Sequence, residues 1–307
     1  MIKNRKELFD RVATRIDASE EEMIQLQRDL CARPAVGPDS GGTGEAAKAS
    51  FLMERLREWG FPEPELYPAP CPDVTGGQRP NFVVRLKGAS DDYTAWVLTH
   101  LDVVPPGEDS MWSGDPWTLR VEDGKLIGRG TEDNQQGIVS AVFALRALLE
   151  EGITPPHDVA LAFVSDEETG SRFGAGYLME NHRDLFGPGD RLLIPDAGNE
   201  DGTMIEVAEK SIAWFQFTVR GKQTHASTPD HGINAHKAGA HLIVLLEQLY
   251  EDFPERDDLF DPPVSTFEPT MKKANVENIN TIPGVDVFAF DCRVMASYEL
   301  EEVRSKI

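Results

Sequence analysis

Cysteine is scarce in this 307-residue sequence: Cys31, Cys71 and Cys292 are odd in number, far apart and in no CxxC spacing. They offer neither a disulfide framework nor a thiolate metal site, and they fit a reducing compartment. Cations are short as well, with 30 Lys and Arg against 53 Asp and Glu and a formal net charge of -23. Phosphate binding needs clustered Lys and Arg, so nucleic acid is not expected as a partner. No apolar run reaches the length of a membrane-spanning helix, so no membrane partner is expected either. The stretch from Met1 to Gln25 is charged and amphipathic and lacks the apolar core of a secretion signal, which points to the cytoplasm. No GxxxxGK[ST] or GxSxG occurs, and Gly174-Ala175-Gly176 lacks the third glycine of a dinucleotide loop, which removes the P-loop, serine-hydrolase and dinucleotide readings.

What remains is enough for a globular protein. A hydrophobic fraction of 40%, with five Trp and fifteen Phe, supports a core, and the length favours two domains. Ser19 with Glu22 has the capping-box spacing and predicts a helix through Leu26 and Leu30. A second helix is expected over about Glu45 to Trp59, stopped at Gly60, followed by a proline-rich connector from Phe61 to Pro72. Asn81 to Leu86 and Ala95 to Leu98 read as strands, and Gly114 to Leu126 as a loop and hairpin. Ile138, Val142, Leu145 and Leu149 make one stripe of a helix over Asn134 to Glu150. Asp158 to Val164 and Arg191 to Ile194 read as further strands, with a helix from Phe173 to Asn181 between them. Alternating strands and helices predict an α/β layer with a mainly parallel sheet.

The style then changes. Ser211 to Val219 alternates as an antiparallel strand does, a long helix spans Ala235 to Leu249, Val285 to Val294 is a strand, and a helix begins near Ser297. The expectation is an α/β domain over 1–206 and a smaller α+β domain over 207–307.

The chemistry-bearing residues lie at the strand ends. His100 and Asp102 follow one strand, Glu167 and Glu168 a second, Asp196 a third, and Asp133 opens a helix. In an open parallel sheet ligands gather beyond the carboxyl ends of the strands, so one His and several carboxylates meet at one edge. That donor set suits zinc, manganese or cobalt. Taken singly, each has an ordinary alternative: a satisfied structural His, an N-cap Asp, a solvated glutamate pair, a turn Asp. The ordered set is what carries the metal reading.

Together, His100-Leu101-Asp102-Val103-Val104-Pro105, Trp112 to Pro116, Gly128-Arg129-Gly130 with Asp133, and Glu167-Glu168-Thr169-Gly170 resemble the M20 family of metallopeptidases. The resemblance covers nearly the whole chain. It implies a zinc-peptidase-like α/β catalytic domain with an inserted, ferredoxin-like dimerisation or lid domain. It also implies two divalent metal ions, zinc first, with cobalt or manganese as alternatives. Asp133 would bridge them, His100 and Asp196 would complete one set, and Glu168 would bind the other ion. Asp102 would fix the His100 ring, and Glu167 would be the general base for hydrolysis of an amide by a metal-bound water.

Three further residues follow from the same resemblance. His225, in Gly221-Lys222-Gln223-Thr224-His225, would stabilise the oxyanion across a homodimer interface. Asn280 and Arg293 would contact substrate, Arg293 as a clamp for a carboxylate. The implied substrate is an N-acyl amino acid or short peptide with a free carboxylate; a dipeptidase or aminopeptidase, or a non-catalytic metal-binding dimerisation module, are the alternatives. His231, His236 and His241 read as bystanders.

Two departures accompany the resemblance. Asn134-Gln135-Gln136-Gly137 stands where the family often has a Lys-Gly pair after the bridging Asp. No His follows His241, although the family draws its last ligand from a later segment, so a truncated chain is expected.

Overall fold

The computed structural model describes residues 2–307. The chain divides into two compact units, the first ending at Glu200 and the second spanning Asp201–Ile307. The division falls a few residues before the expected 206/207 boundary, in an irregular stretch where no periodicity marks a change.

The first unit opens with helices α1 (Ile2–Asp17), α2 (Glu20–Cys31) and α3 (Ala46–Glu58). The short strands β1 (Glu65–Leu66), β2 (Ala69–Pro70) and β3 (Gln78–Arg79) follow, the first two lying inside the expected connector. Next come β4 (Phe82–Leu86), β5 (Ser90–His100), the hairpin β6 (Arg120–Glu122) and β7 (Lys125–Ile127), and α4 (Gly137–Glu150). The unit closes with β8 (His157–Val164), α5 (Ala175–Asn181) and β9 (Arg191–Leu193). Its sheet has the order β1-β4-β8-β5-β9. β8, β5 and β9 are parallel, β4 is antiparallel to β8, and β1 is antiparallel to β4. All strands but β4 therefore point one way, which is the mainly parallel sheet expected.

The central strand explains the core. Val159, Leu161 and Phe163 face Leu26, Leu30, Leu52, Leu56 and Phe143 on one side, while Ala160, Ala162 and Val164 face Trp96 and Leu178 on the other. A strand covered on both faces reads as a continuous apolar run, as this one does. The stripe of α4 lies on the first of these faces, with Ile138 and Val142 fully buried.

Two local expectations change. Ser19 does not cap α2: its Oγ donates to the Arg15 carbonyl at 2.9 Å, closing the end of α1, and Glu22 accepts from Arg146 Nη1 at 2.6 Å. A carbonyl four residues back takes Ser19 and a distant arginine takes Glu22, so the capping box does not form. The helix expected from Asn134 begins instead at Gly137, after an irregular turn over Thr131–Gln136 in which Asp133 and Asn134 leave helical backbone.

The second unit contains β10 (Ser211–Arg220), β11 (Thr224–His225), α6 (Ala235–Leu246), α7 (Gln248–Asp252), β12 (Thr266–Lys272), β13 (Thr281–Ile282), β14 (Val285–Val294) and α8 (Leu300–Lys306). The expected long helix is thus interrupted at Glu247. The antiparallel sheet has the order β10-β14-β12. Phe288, Phe290, Cys292 and Val294 of β14 pack with Leu246 and Leu249, leaving Ile212 and Trp214 of β10 exposed on the far face. The major strand–helix–strand–strand–helix order fits a ferredoxin-like α+β unit. β12 escaped sequence reading because Pro269 interrupts it; the proline sits at a bulge on an edge strand, where its missing N–H costs no ladder bond. Among the described residues no helix is long and apolar enough to cross a membrane.

Candidate metal centre

Strand order brings the predicted residues of the first unit together. β5 lies between β8 and β9, and the three are parallel, so their carboxyl ends share one edge. His100 is the last residue of β5, the Glu167–Thr169 turn follows β8, and Asp196 follows β9. Asp133 enters from the irregular turn ahead of α4. Its departure from helical geometry lets it face the sheet edge instead of capping the helix.

His100 is the centre of this group and only 2% exposed. Its Nε2 lies 2.8 Å from Asp133 Oδ1 and 3.4 Å from Asp196 Oδ1. Its Nδ1 lies 3.0 Å from the Asp102 carbonyl and 3.4 Å from Asp102 Oδ1. A proton on Nδ1, donated to the Asp102 carbonyl, leaves the Nε2 lone pair for a cation. Burial disfavours charge on the ring, but hydrogen bonds to Asp102, Asp133 and Asp196 outweigh it and push its pKa up to about 12. The same bond to His100 holds Asp196 below the usual carboxylate range.

Ligand atoms of His100, Asp133 and Asp196 all lie within 4.8 Å of one another. One buried imidazole nitrogen and two carboxylates, with Asp133 open to solvent, fit a divalent transition ion that keeps positions for water or substrate. Asn134 secures the arrangement: its Nδ2 donates to Asp196 Oδ1, and to the Pro195 carbonyl at 3.1 Å. Gln136 adds a bond from Nε2 to the same carbonyl at 3.0 Å. Gln136 is therefore an anchor for the Asp196 loop.

Glu168 falls outside this three-residue group. Its Oε1 accepts from the Val104 backbone N–H at 3.2 Å, and burial, followed by the negative charge of Asp133, raises its pKa to about 7. Glu167 is raised too, first by burial, with Asp196, Asp102 and Asp133 adding to it and His100 opposing.

Asp102 does more than orient the His. Its two carboxylate oxygens accept the backbone N–H groups of Glu167 and Glu168, each at 3.1 Å, so it ties the glutamate turn to the end of β5. Sequence reasoning missed this link, along with Asn134 and Asp166. The last lay within the same Asp-Glu-Glu run and carried the signal in plain view.

The residues singled out in the second unit also find partners. β11 pairs with β13 and aligns His225 with Thr281. His225 Nδ1 lies 2.7 Å from Ser227 Oγ and 3.2 Å from the Ser227 backbone nitrogen, and its Nε2 lies 3.5 Å from the Asn280 amide nitrogen. Arg293 is engaged by its own strand neighbour: Nε donates to Asp291 Oδ1 at 2.7 Å and Nη2 to Oδ2 at 3.1 Å. A substrate carboxylate would have to compete with Asp291 for that fork.

The protonation of the first-unit cluster gives a direct expectation. Without a cation, His100 holds a proton throughout the neutral range and Glu168 titrates near pH 7. Binding of a divalent ion at Nε2 must expel the His100 proton, so affinity rises with pH. Calorimetric titration with zinc at pH 7.5, in buffers of different ionisation enthalpy, is expected to give at least about one proton released per chain; release near zero would place the cation elsewhere.

Known proteins resemble this chain over most of its length. The model of peptidase family M20/M25/M40 matches residues 96–304. A protein named as an uncharacterized metallohydrolase of Methanocaldococcus jannaschii is 41% identical over 92% of this chain and 70% of its own length. Succinyl-diaminopimelate desuccinylase of Alkalilimnicola ehrlichii is 28% identical over 93% of this chain and 72% of its own. Among solved structures, an M20 family metallo-carboxypeptidase from Sulfolobus solfataricus superposes with a TM-score of 0.75 at 17% identity, covering 92% of this chain and 74% of that one.

Proposed function

Because the chain belongs to peptidase family M20/M25/M40, we propose that it hydrolyses the amide bond of an N-acyl amino acid or short peptide bearing a free carboxylate. The observation that carries this reading is the His100, Asp133 and Asp196 donor group, whose His leads through Asp102 to the turn bearing Glu167. A hydrolase of this class needs a cation site and a carboxylate base side by side, and a carboxylate that ligates cannot also shuttle protons.

In this reading His100, Asp133 and Asp196 would hold one divalent ion and Glu168 would help to hold a second; zinc is the first choice, with cobalt or manganese as alternatives. Such an ion, when bound, supplies Lewis acidity that polarises the scissile carbonyl and acidifies water. Glu167 takes the proton of the attacking water and delivers it to the leaving amine. Burial, which favours its neutral form, makes Glu167 a better proton holder than an exposed glutamate. Asp102 keeps the base at a fixed distance from the ligand His by holding both backbone N–H groups of the turn. His225 stabilises the developing oxyanion, contributed across a homodimer formed by the second unit. Asn280 and Arg293 orient the substrate, Arg293 exchanging Asp291 for a substrate carboxylate. The chain acts in the cytoplasm, on small molecules.

The deciding assay incubates the chain with zinc and a panel of N-succinyl and N-acetyl amino acids, their carboxamides, and dipeptides, and measures released amine. Release from the N-acyl amino acids, and not from their carboxamides, is the expected result. Release from the dipeptides alone would assign a dipeptidase of the same family, and release from none of them would favour a binding module.

A further inference from the structure

We propose that Arg79, buried with Glu45 and Asp166, is a positioning residue that fixes the Glu167–Thr169 turn and so governs turnover without touching substrate or cation. The inference rests on the reading of Glu167 as the base.

Asp166 joins β8 to that turn with φ at +67°, a left-handed backbone that a β-carbon disfavours. Its own contacts hold it there. Oδ1 accepts from Arg79 Nη1 at 2.7 Å and from the Thr169 hydroxyl, Oδ2 accepts from the Phe173 N–H at 2.9 Å, and its carbonyl accepts from the Ser171 N–H at 2.6 Å. The aspartate therefore closes the turn on itself, and Arg79 holds the aspartate.

Arg79 is held in turn. Its Nε lies 3.2 Å from each carboxylate oxygen of Glu45, and its Nη2 donates to Glu45 Oε1. Glu45 stands at the start of α3, so the guanidinium bridges a helix end to the turn. Arg79 and Glu45 are 1% exposed and Asp166 3%, so water does not screen the network. The turn is gripped from two sides: Asp102 takes the N–H groups of Glu167 and Glu168, and Asp166 with Arg79 takes the opposite end. Two carboxylates on different segments, met by one planar fork, demand arginine; a lysine ammonium is a point charge that cannot serve both in that geometry.

A merely structural network would affect folding alone. A positioning network shifts the base relative to the reacting atoms, and a misplacement of about 1 Å costs about 100-fold in rate. The test compares Arg79→Lys, Glu45→Gln and Glu167→Gln with the parent chain. Four quantities are read: kcat, KM, bound cation, and amide exchange at Glu167 and Glu168. For Arg79→Lys we expect kcat to fall about 10- to 100-fold with KM and the cation at His100, Asp133 and Asp196 unchanged, and exchange at the two amides to accelerate. Glu45→Gln, which keeps the acceptor and loses the charge, is expected to do the same more weakly; it decides the matter if Arg79→Lys does not fold. Parental exchange at both amides in the folded variants overturns the proposal, as does a loss of kcat that only follows lost cation or lost folded protein. Full turnover by Glu167→Gln would instead overturn the reading of Glu167 as base, while the exchange rates still decide whether Arg79 fixes the turn.

Discussion

Glu167→Gln lowers kcat by about 100- to 10,000-fold, the range that a positioned general base contributes, with KM and bound cation near their parental values. The substitution is nearly isosteric and leaves the backbone N–H of residue 167 to bond Asp102 as before. Only the ability to carry a proton is lost. Glu168→Gln is the informative neighbour. Its carboxylate accepts from Val104 and responds to the charge of Asp133, so its loss is expected to reduce cation binding before it reduces the rate of a loaded enzyme. Steady-state kinetics with elemental analysis of the same samples separates the two. Equal loss of cation in both variants would mean that the adjacent glutamates do not divide the work as proposed.

The second large effect is on stability. A cation that binds the folded chain alone, at about 1,000 times its dissociation constant, stabilises by about 4 kcal/mol. For a unit of roughly 200 residues that is a rise in melting temperature of about 8–16 °C. Asp133→Asn removes one charge of the donor group at a side chain that is 57% exposed, and His100 keeps Asp102 and Asp196 beside it, so the fold loses little. Even partners that only orient a ligand are worth about 10- to 100-fold in metal affinity, and a direct ligand is worth more. The zinc-dependent rise should therefore vanish in Asp133→Asn while the melting temperature without zinc stays near the parental value. A full rise in the variant, measured by scanning calorimetry with and without zinc, would remove Asp133 from the site.

The amino-acid sequence alone determined the layered α/β unit, because its strands and helices have strong and different periods. The doubly buried β8 had to be a continuous apolar run, and α4 had to carry its stripe. It also put His100, the Glu167-Glu168 pair and Asp196 at one sheet edge, because they sit where strands end, and parallel strands end on one side. Tertiary structure decided the rest, wherever a side chain chose between a local partner and a distant one. Glu22 leaves the capping box to serve Arg146. Asp133 abandons the helix start for His100, and Asn134 abandons it for the Asp196 loop. Asp102, read as a partner of His100 alone, spends its carboxylate on the glutamate turn. Local spacing ranks neighbours a few residues apart, but it contains no information on which strand lies beside which. The order β8-β5-β9 sets that adjacency, and with it the partners of every residue at the sheet edge.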